Sequence, residues 1–301
     1  MIEIKTSATA RAAALCLALA AVPASATHEA WTSTRYPQDE TKWWWDADWW
    51  QRGTLPVPAN HEVATRKGAY RSGEVEVPVE IHVPKASARA PVVVFLHGRR
   101  GIDPVTRLVP LRLAARGFVV VAPDLYSGRF IEPFPIRHDP ALEEDAALAI
   151  DFALALPEAR GQARTCLVSH TRGGYYALKA MVTKQRQAKT ACYVSYYPHW
   201  QHPEAPEAMQ VYQYAPEVEA LTVPVLVYFG EHEQYQRVRP ILAGIESLQK
   251  KKRDARVIVY PGVGRGFDFR PPEVRTFADD LATQDSLLRA AAFLRQHLGT
   301  R

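Results

Sequence analysis

Cysteine is scarce in this chain of 301 residues: three occur in all. Cys16 belongs to an N-terminal leader, which leaves Cys166 and Cys192 for the folded part. Two cysteines do not build a disulfide scaffold, and neither stands at a metal-ligand spacing. Both fall inside expected strands, so buried free thiols are the simpler expectation, with a pairing left open. Beyond the leader no apolar run is long enough to span a bilayer, which argues against a membrane span. No Walker loop occurs and no G-x-G-x-x-G follows a strand, so nothing indicates an organic cofactor. A large charge excess is also missing: the formal net charge is +5, and +4 once residues 1–26 are set aside. KKKR at 250–253 ends an expected helix, where cations suit the dipole, so nucleic acid is not an expected partner.

What is present begins with that leader. Lys5 and Arg11 precede the apolar run AAALCLALAAV, and Ala24-Ser25-Ala26 forms an A-x-A cleavage pattern. Residues 1–26 are therefore expected to be a secretory signal peptide, with a periplasmic or secreted mature chain. Residues 27–72 are expected to be an irregular extension. It contains WWWDADWW, residues 43–50, five tryptophans in eight positions. Rings of that size bury large areas, so the cluster either packs on the main domain or offers Trp43–Trp50 to a partner protein, a glycan or a membrane interface.

Residues 73–301 alternate strand and helix patterns. EVEVPVEIHV (74–83) alternates apolar and polar, and Pro78 marks it as an edge strand. PVVVFLH (91–97) and FVVVA (118–122) are continuous apolar runs, as central parallel strands are. TCLVS (165–169), ACYVSYY (191–197), VPVLVYF (223–229) and ARVIVY (255–260) follow. Helices are expected near 104–116, from Asp139-Pro140 onward, from Gly173 to about Gln187, and over 238–251 and 275–298. The fold class is α/β: one mostly parallel sheet with helices on both faces.

In such a sheet, ligands bind beyond the carboxyl ends of the strands. Those ends read HGRRG from His97, VAPDLYSGR to Arg129, VSHTRGG (168–174), VSYYP to Pro198, VLVYFGEHE to Glu233, and YPGVGRGF (260–267). In this order the stretches resemble the dienelactone hydrolases, a branch of the α/β-hydrolase fold, over about residues 73–300. The resemblance implies a strand–turn–helix elbow at Thr171 that presents a nucleophile. It implies an oxyanion loop around Gly98 and Arg99, with Arg172 and Tyr126 beside the pocket. It puts Thr171 in the nucleophile's place, Glu233 in the acid's and Arg265 in the base's.

All three depart from the family's Cys or Ser, Asp and His. Glu can still orient a partner, but guanidinium stays charged and cannot take a proton near neutral pH. Threonine is a weak nucleophile without an adjacent base, and a β-branched residue at positive φ is strained. Of the histidines, His170 is expected to point away from the pocket. His199 and His232 are expected to be satisfied loop residues, His138 lies in the variable loop over the site and is not expected to be the base, and His297 lies too late in the chain. His97, His170, His199, His202, His232 and Glu233 gather near strand ends without a metalloprotease spacing, so no metal is expected. Arg265 opposite Glu233 could form an ion pair across the triad positions. Arg99, Arg100 and Arg129 should rim the pocket and favour an anionic small molecule. The expectation is a non-catalytic module that binds a small molecule or a protein; the alternative is an active ester or lactone hydrolase using Thr171 or a recruited base.

Overall fold

The structure, a computed structural model, describes residues 32–34, 61–85, 90–159, 161–201, 205–206, 209–271 and 273–299. The leader, Trp43–Trp50 and His202 lie outside the described residues. The strands are β1 (Thr32–Thr34), β2 (Val63–Ser72), β3 (Val75–Pro84), β4 (Val92–Leu96), β5 (Val119–Pro123), β6 (Thr165–His170), β7 (Thr190–Tyr196), β8 (Val225–His232) and β9 (Ala255–Gly264). They form one sheet in the order β1-β2-β3-β5-β4-β6-β7-β8-β9. β1, β2 and β3 join antiparallel, and β4 to β9 run parallel. Among the described residues the α-helices are α1 (Leu108–Ala115), α2 (Ala141–Ala155), α3 (Gly173–Leu178), α4 (Tyr235–Lys250) and α5 (Phe277–Leu298). This is the α/β-hydrolase arrangement that the strand ends led us to expect.

The valine-rich runs explain the centre. Every residue of β4, β5, β6 and β7 is buried, which requires cover on both faces of the sheet. β2 is an element that sequence reading placed in the irregular extension. Its sequence, VATRKGAYRS, has no apolar run, but it pairs along its whole length with β3. β3 is consequently not an edge strand, contrary to the reading of Pro78. Its register with β5 covers only Val79 to His82, so Pro78 lies beyond that pairing and its missing N–H costs no bond there. The cysteines also differ from the simpler expectation. Cys166 and Cys192 lie opposite each other on β6 and β7, with Cα atoms 4.8 Å apart, and are joined as a disulfide.

The helix signals hold at α2: Asp139 Oδ1 accepts from Ala141 N at 2.9 Å, and Leu142, Ala146, Ile150 and Ala153 are buried. The helix expected from Gly173 to Gln187 is shorter. It is α-helical to Leu178 and widens into a π-turn over Lys179–Thr183, with Lys184 N donating to Lys179 O. From α1, the buried Arg112 donates from Nη1 to Asp268 O at 2.8 Å and so fixes the loop after β9.

Buried histidines make this fold acid-sensitive. Burial, with Arg107 alongside, pushes His82 down to about 3. Burial lowers His97 as well. Below the ordinary imidazole range the unfolded chain binds protons that native His82 refuses, so stability falls as pH drops from about 6.5 towards 3. The expected slope is about 1.4 kcal/mol per pH unit for each such histidine. Urea unfolding at pH 7.5 and 5.5 should show the loss, and His82→Gln should shrink the difference between the two by about 1 kcal/mol.

Candidate functional site

Thr171 stands at the turn between β6 and α3 with φ +47°. The elbow geometry is kept despite a β-branched residue, at a strain of roughly 1–3 kcal/mol. Two glycines make the turn feasible. A Cβ at Gly98 would stand 1.9 Å from Thr171 Oγ1, and one at Gly173 would stand 2.2 Å from Leu96 O. The loop after β4 and the elbow are thus in direct contact. His199 N donates to Thr171 O at 2.8 Å, which ties the loop after β7 to the same turn. No hydrogen bond reaches the Thr171 hydroxyl from any described residue.

The positions that the resemblance gives to acid and base come together as an ion pair. Arg265 Nη1 lies 2.8 Å from Glu233 Oε1, and the Glu233 side chain is fully buried. Gln234 N donates to the same oxygen at 2.9 Å, and Arg265 Nη2 donates to Tyr197 O at 3.0 Å. One guanidinium N–H and one backbone N–H hold the carboxylate; no imidazole is interposed.

Beside this pair opens a cleft of about 480 Å³ whose wall includes His138, Arg172, Tyr175, His199, Gln201 and Arg237. His199 is surrounded by cations. Burial, then Arg265, Arg237, Arg172 and Arg99, hold its imidazole well below the usual range, so it is neutral. Burial and Arg265 draw Arg237 down to about 10, so it stays charged at neutral pH. Its Nη1 donates to Gln201 Oε1 at 2.7 Å, while its buried Nε has no partner. Arg99 and Arg172 grip the backbone of the loop above. Arg99 Nε donates to Pro135 O at 2.9 Å, and Arg172 Nη1 donates to the same oxygen at 2.8 Å. A cleft of about 410 Å³ against β8, β9 and α5 is lined by Leu226, Val257 and Phe293. It lies along the strands rather than at their carboxyl ends.

Other expected residues fall elsewhere. Arg129 is not at the rim: its Nε and Nη2 reach the buried Asp145 on α2 at 2.5 and 2.7 Å. Arg100 donates from Nε to Asp103 Oδ2 at 2.7 Å, within its own loop, and borders a small cavity at Thr171 rather than this cleft. Tyr126 is buried edge-on against His97, 4.7 Å between ring centroids, and does not line the cleft. His97 is structural: Leu125 N donates to its Nε2 at 3.0 Å and its Nδ1 meets Gly98 O at 2.7 Å. His232 is exposed. Among the described residues no three His, Cys, Asp or Glu side chains converge as metal ligands would.

His170 does not line this cleft, and its ring lies against a buried carboxylate. Its Nε2 lies 3.2 Å from Asp268 Oδ2, with both side chains buried. Burial alone would raise Asp268, but His170, Tyr197 and Arg112 hold it below the usual carboxylate range. His170 and Thr171 border the same cavity of about 30 Å³, room for roughly one water. Sequence reading missed Asp268 and Arg237. Arg237 carried a signal, four residues after Glu233 at the start of a helix; Asp268 carried none beyond its place three residues after Arg265.

A family model described as the dienelactone hydrolase family matches residues 78–298. No curated protein matches the chain. Among solved structures it is similar to an esterase from the archaeon Pyrobaculum calidifontis, with 19% identity, TM-score 0.62, and 79% of this chain and 84% of that one covered. It is similar to brefeldin A esterase, a bacterial homologue of human hormone-sensitive lipase, with 18% identity, TM-score 0.62, and 82% and 81% covered. It is also similar to a dienelactone hydrolase-like promiscuous phosphotriesterase from metagenomic libraries, with 18% identity, TM-score 0.59, and 78% and 98% covered. At these identities the likeness carries the fold and no activity.

The ion pair has a measurable consequence. Arg265→Met should leave Glu233 buried and unpaired, at a cost of about 3 kcal/mol in urea unfolding. Adding Glu233→Gln to the same protein should recover most of that loss.

Proposed function

Since the chain belongs to the dienelactone hydrolase family, matched over residues 78–298, we propose that it is a binding module built on that fold, with a substituted triad and a small anionic molecule as its ligand. In this reading Thr171, Glu233 and Arg265 stand in the family's catalytic positions and do not run its chemistry. One observation carries the reading: Arg137, Arg172 and Arg237 line the cleft, and Arg265 and Arg99 lie close enough to act with Arg237 and Arg172 on His199. A single buried carboxylate, Glu233, is paired with one of them. A carboxylate or similar anion entering the cleft would offset that excess and give the unpartnered Arg237 Nε an acceptor. The reading includes export through residues 1–26 and a contact surface for a partner protein at Trp43–Trp50; both rest on the sequence alone.

A second reading, an ester or lactone hydrolase acting through Thr171, is favoured by the retained φ of +47° and by His170 with Asp268 bordering the cavity at Thr171. In that scheme a water in the small cavity would relay the hydroxyl proton to His170.

Two measurements separate the readings. Titration calorimetry with benzoate, succinate and inorganic phosphate should show binding that weakens with salt, and by about tenfold or more in Arg237→Gln. Turnover of p-nitrophenyl acetate should be slow and insensitive to Thr171→Ala. Turnover that drops about 100-fold in that variant would replace the binding reading with the hydrolase one.

A further inference from the structure

We propose that the ligand of the arginine-lined cleft carries a hydroxyl, or another hydrogen-bond donor, in addition to its anionic group, and that His138 reads it. This rests on the anion-binding reading above and narrows it to small hydroxycarboxylates.

His138 ends the loop that Arg99 and Arg172 grip, just ahead of α2, and lines the cleft. Its Nε2 lies 2.8 Å from Glu143 Oε1 on the first turn of α2. A carboxylate only accepts, so in the neutral form of the ring Nε2 carries the proton and Nδ1 presents a lone pair. The ring is held in that orientation. It stands edge-on to Tyr175 at 5.0 Å between centroids and stacks on Tyr176 at 5.7 Å. A flip would exchange the two nitrogens and cost the bond to Glu143. Among the described residues Nδ1 has no hydrogen-bond partner.

The cleft therefore makes opposite demands on a ligand. Around His199, the arginines offer donors and positive charge. At His138 the ring offers a lone pair, with the Glu143 carboxylate behind it. A second anion there would meet two acceptors, whereas a hydroxyl would donate to Nδ1. The cleft's volume, about 480 Å³, is near the lower end of small-molecule sites, so both groups belong to one compact molecule.

The test is calorimetric titration at pH 8 with benzoate and with its ortho, meta and para hydroxy derivatives. At least one hydroxybenzoate should bind about tenfold more tightly than benzoate, the effect of one added hydrogen bond. The affinity ratio between the two acids, taken within each variant, should collapse towards unity in His138→Phe. It should also fall in Glu143→Gln, which keeps the ring but no longer dictates which nitrogen carries the proton. If His138→Phe does not fold, judged by thermal unfolding, Glu143→Gln decides. Equal binding of all four acids to the wild-type protein, or a ratio that survives both substitutions, overturns the proposal and leaves the anion reading standing. If none of the four acids binds, or binding ignores Arg237→Gln, the anion reading falls, and the proposal with it.

Discussion

Arg265 Nη1 and Glu233 Oε1 stand 2.8 Å apart beyond β8 and β9, and the cleft takes its character from that contact. A guanidinium holds its proton throughout the neutral range, so the pair can bind and orient but cannot exchange protons. Two donors anchor Arg265, to Glu233 and to Tyr197 O, leaving it little freedom to swing out of the way. Its charge also acts on neighbours: it lowers both His199 and Arg237. One guanidinium thus both holds the buried carboxylate and raises the positive field at the cleft.

The sheet behind the cleft follows from simple patterning. Val92–Leu96 and Val119–Pro123 are continuous apolar runs, and such runs are legible because strands covered on both faces leave no polar alternation. β2 was illegible for the converse reason: it has no continuous apolar run or regular alternation, and it is a strand because β3 offers it a partner. Pairing is a tertiary fact, and so is the meeting of Cys166 with Cys192, since neither spacing nor composition reveals that β6 and β7 are neighbours in matching register. In the site, the strand-end motifs pointed to Thr171, Glu233 and Arg265. They did not show that Arg129 turns to Asp145, nor that Asp268 comes to His170. Long side chains choose among partners that only the folded chain brings close.

Thr171 and His170 show how adjacent residues at the end of one strand can serve different surroundings. Thr171 adopts a left-handed backbone that favours glycine, with its hydroxyl packed against Gly98. His170, one residue earlier, faces Phe95, Tyr196, Tyr197 and Phe269 and meets Asp268 behind them. The family's elbow persists as architecture, and the imidazole nearest to it is packed into the core.

The disulfide between β6 and β7 imposes an order of events. Both cysteines are completely buried in the middle of the sheet. An oxidant can reach the sulfurs only while the strands are still apart. A chain that folded first around two thiols would seal them from later oxidation, and would have to open its centre to acquire the link.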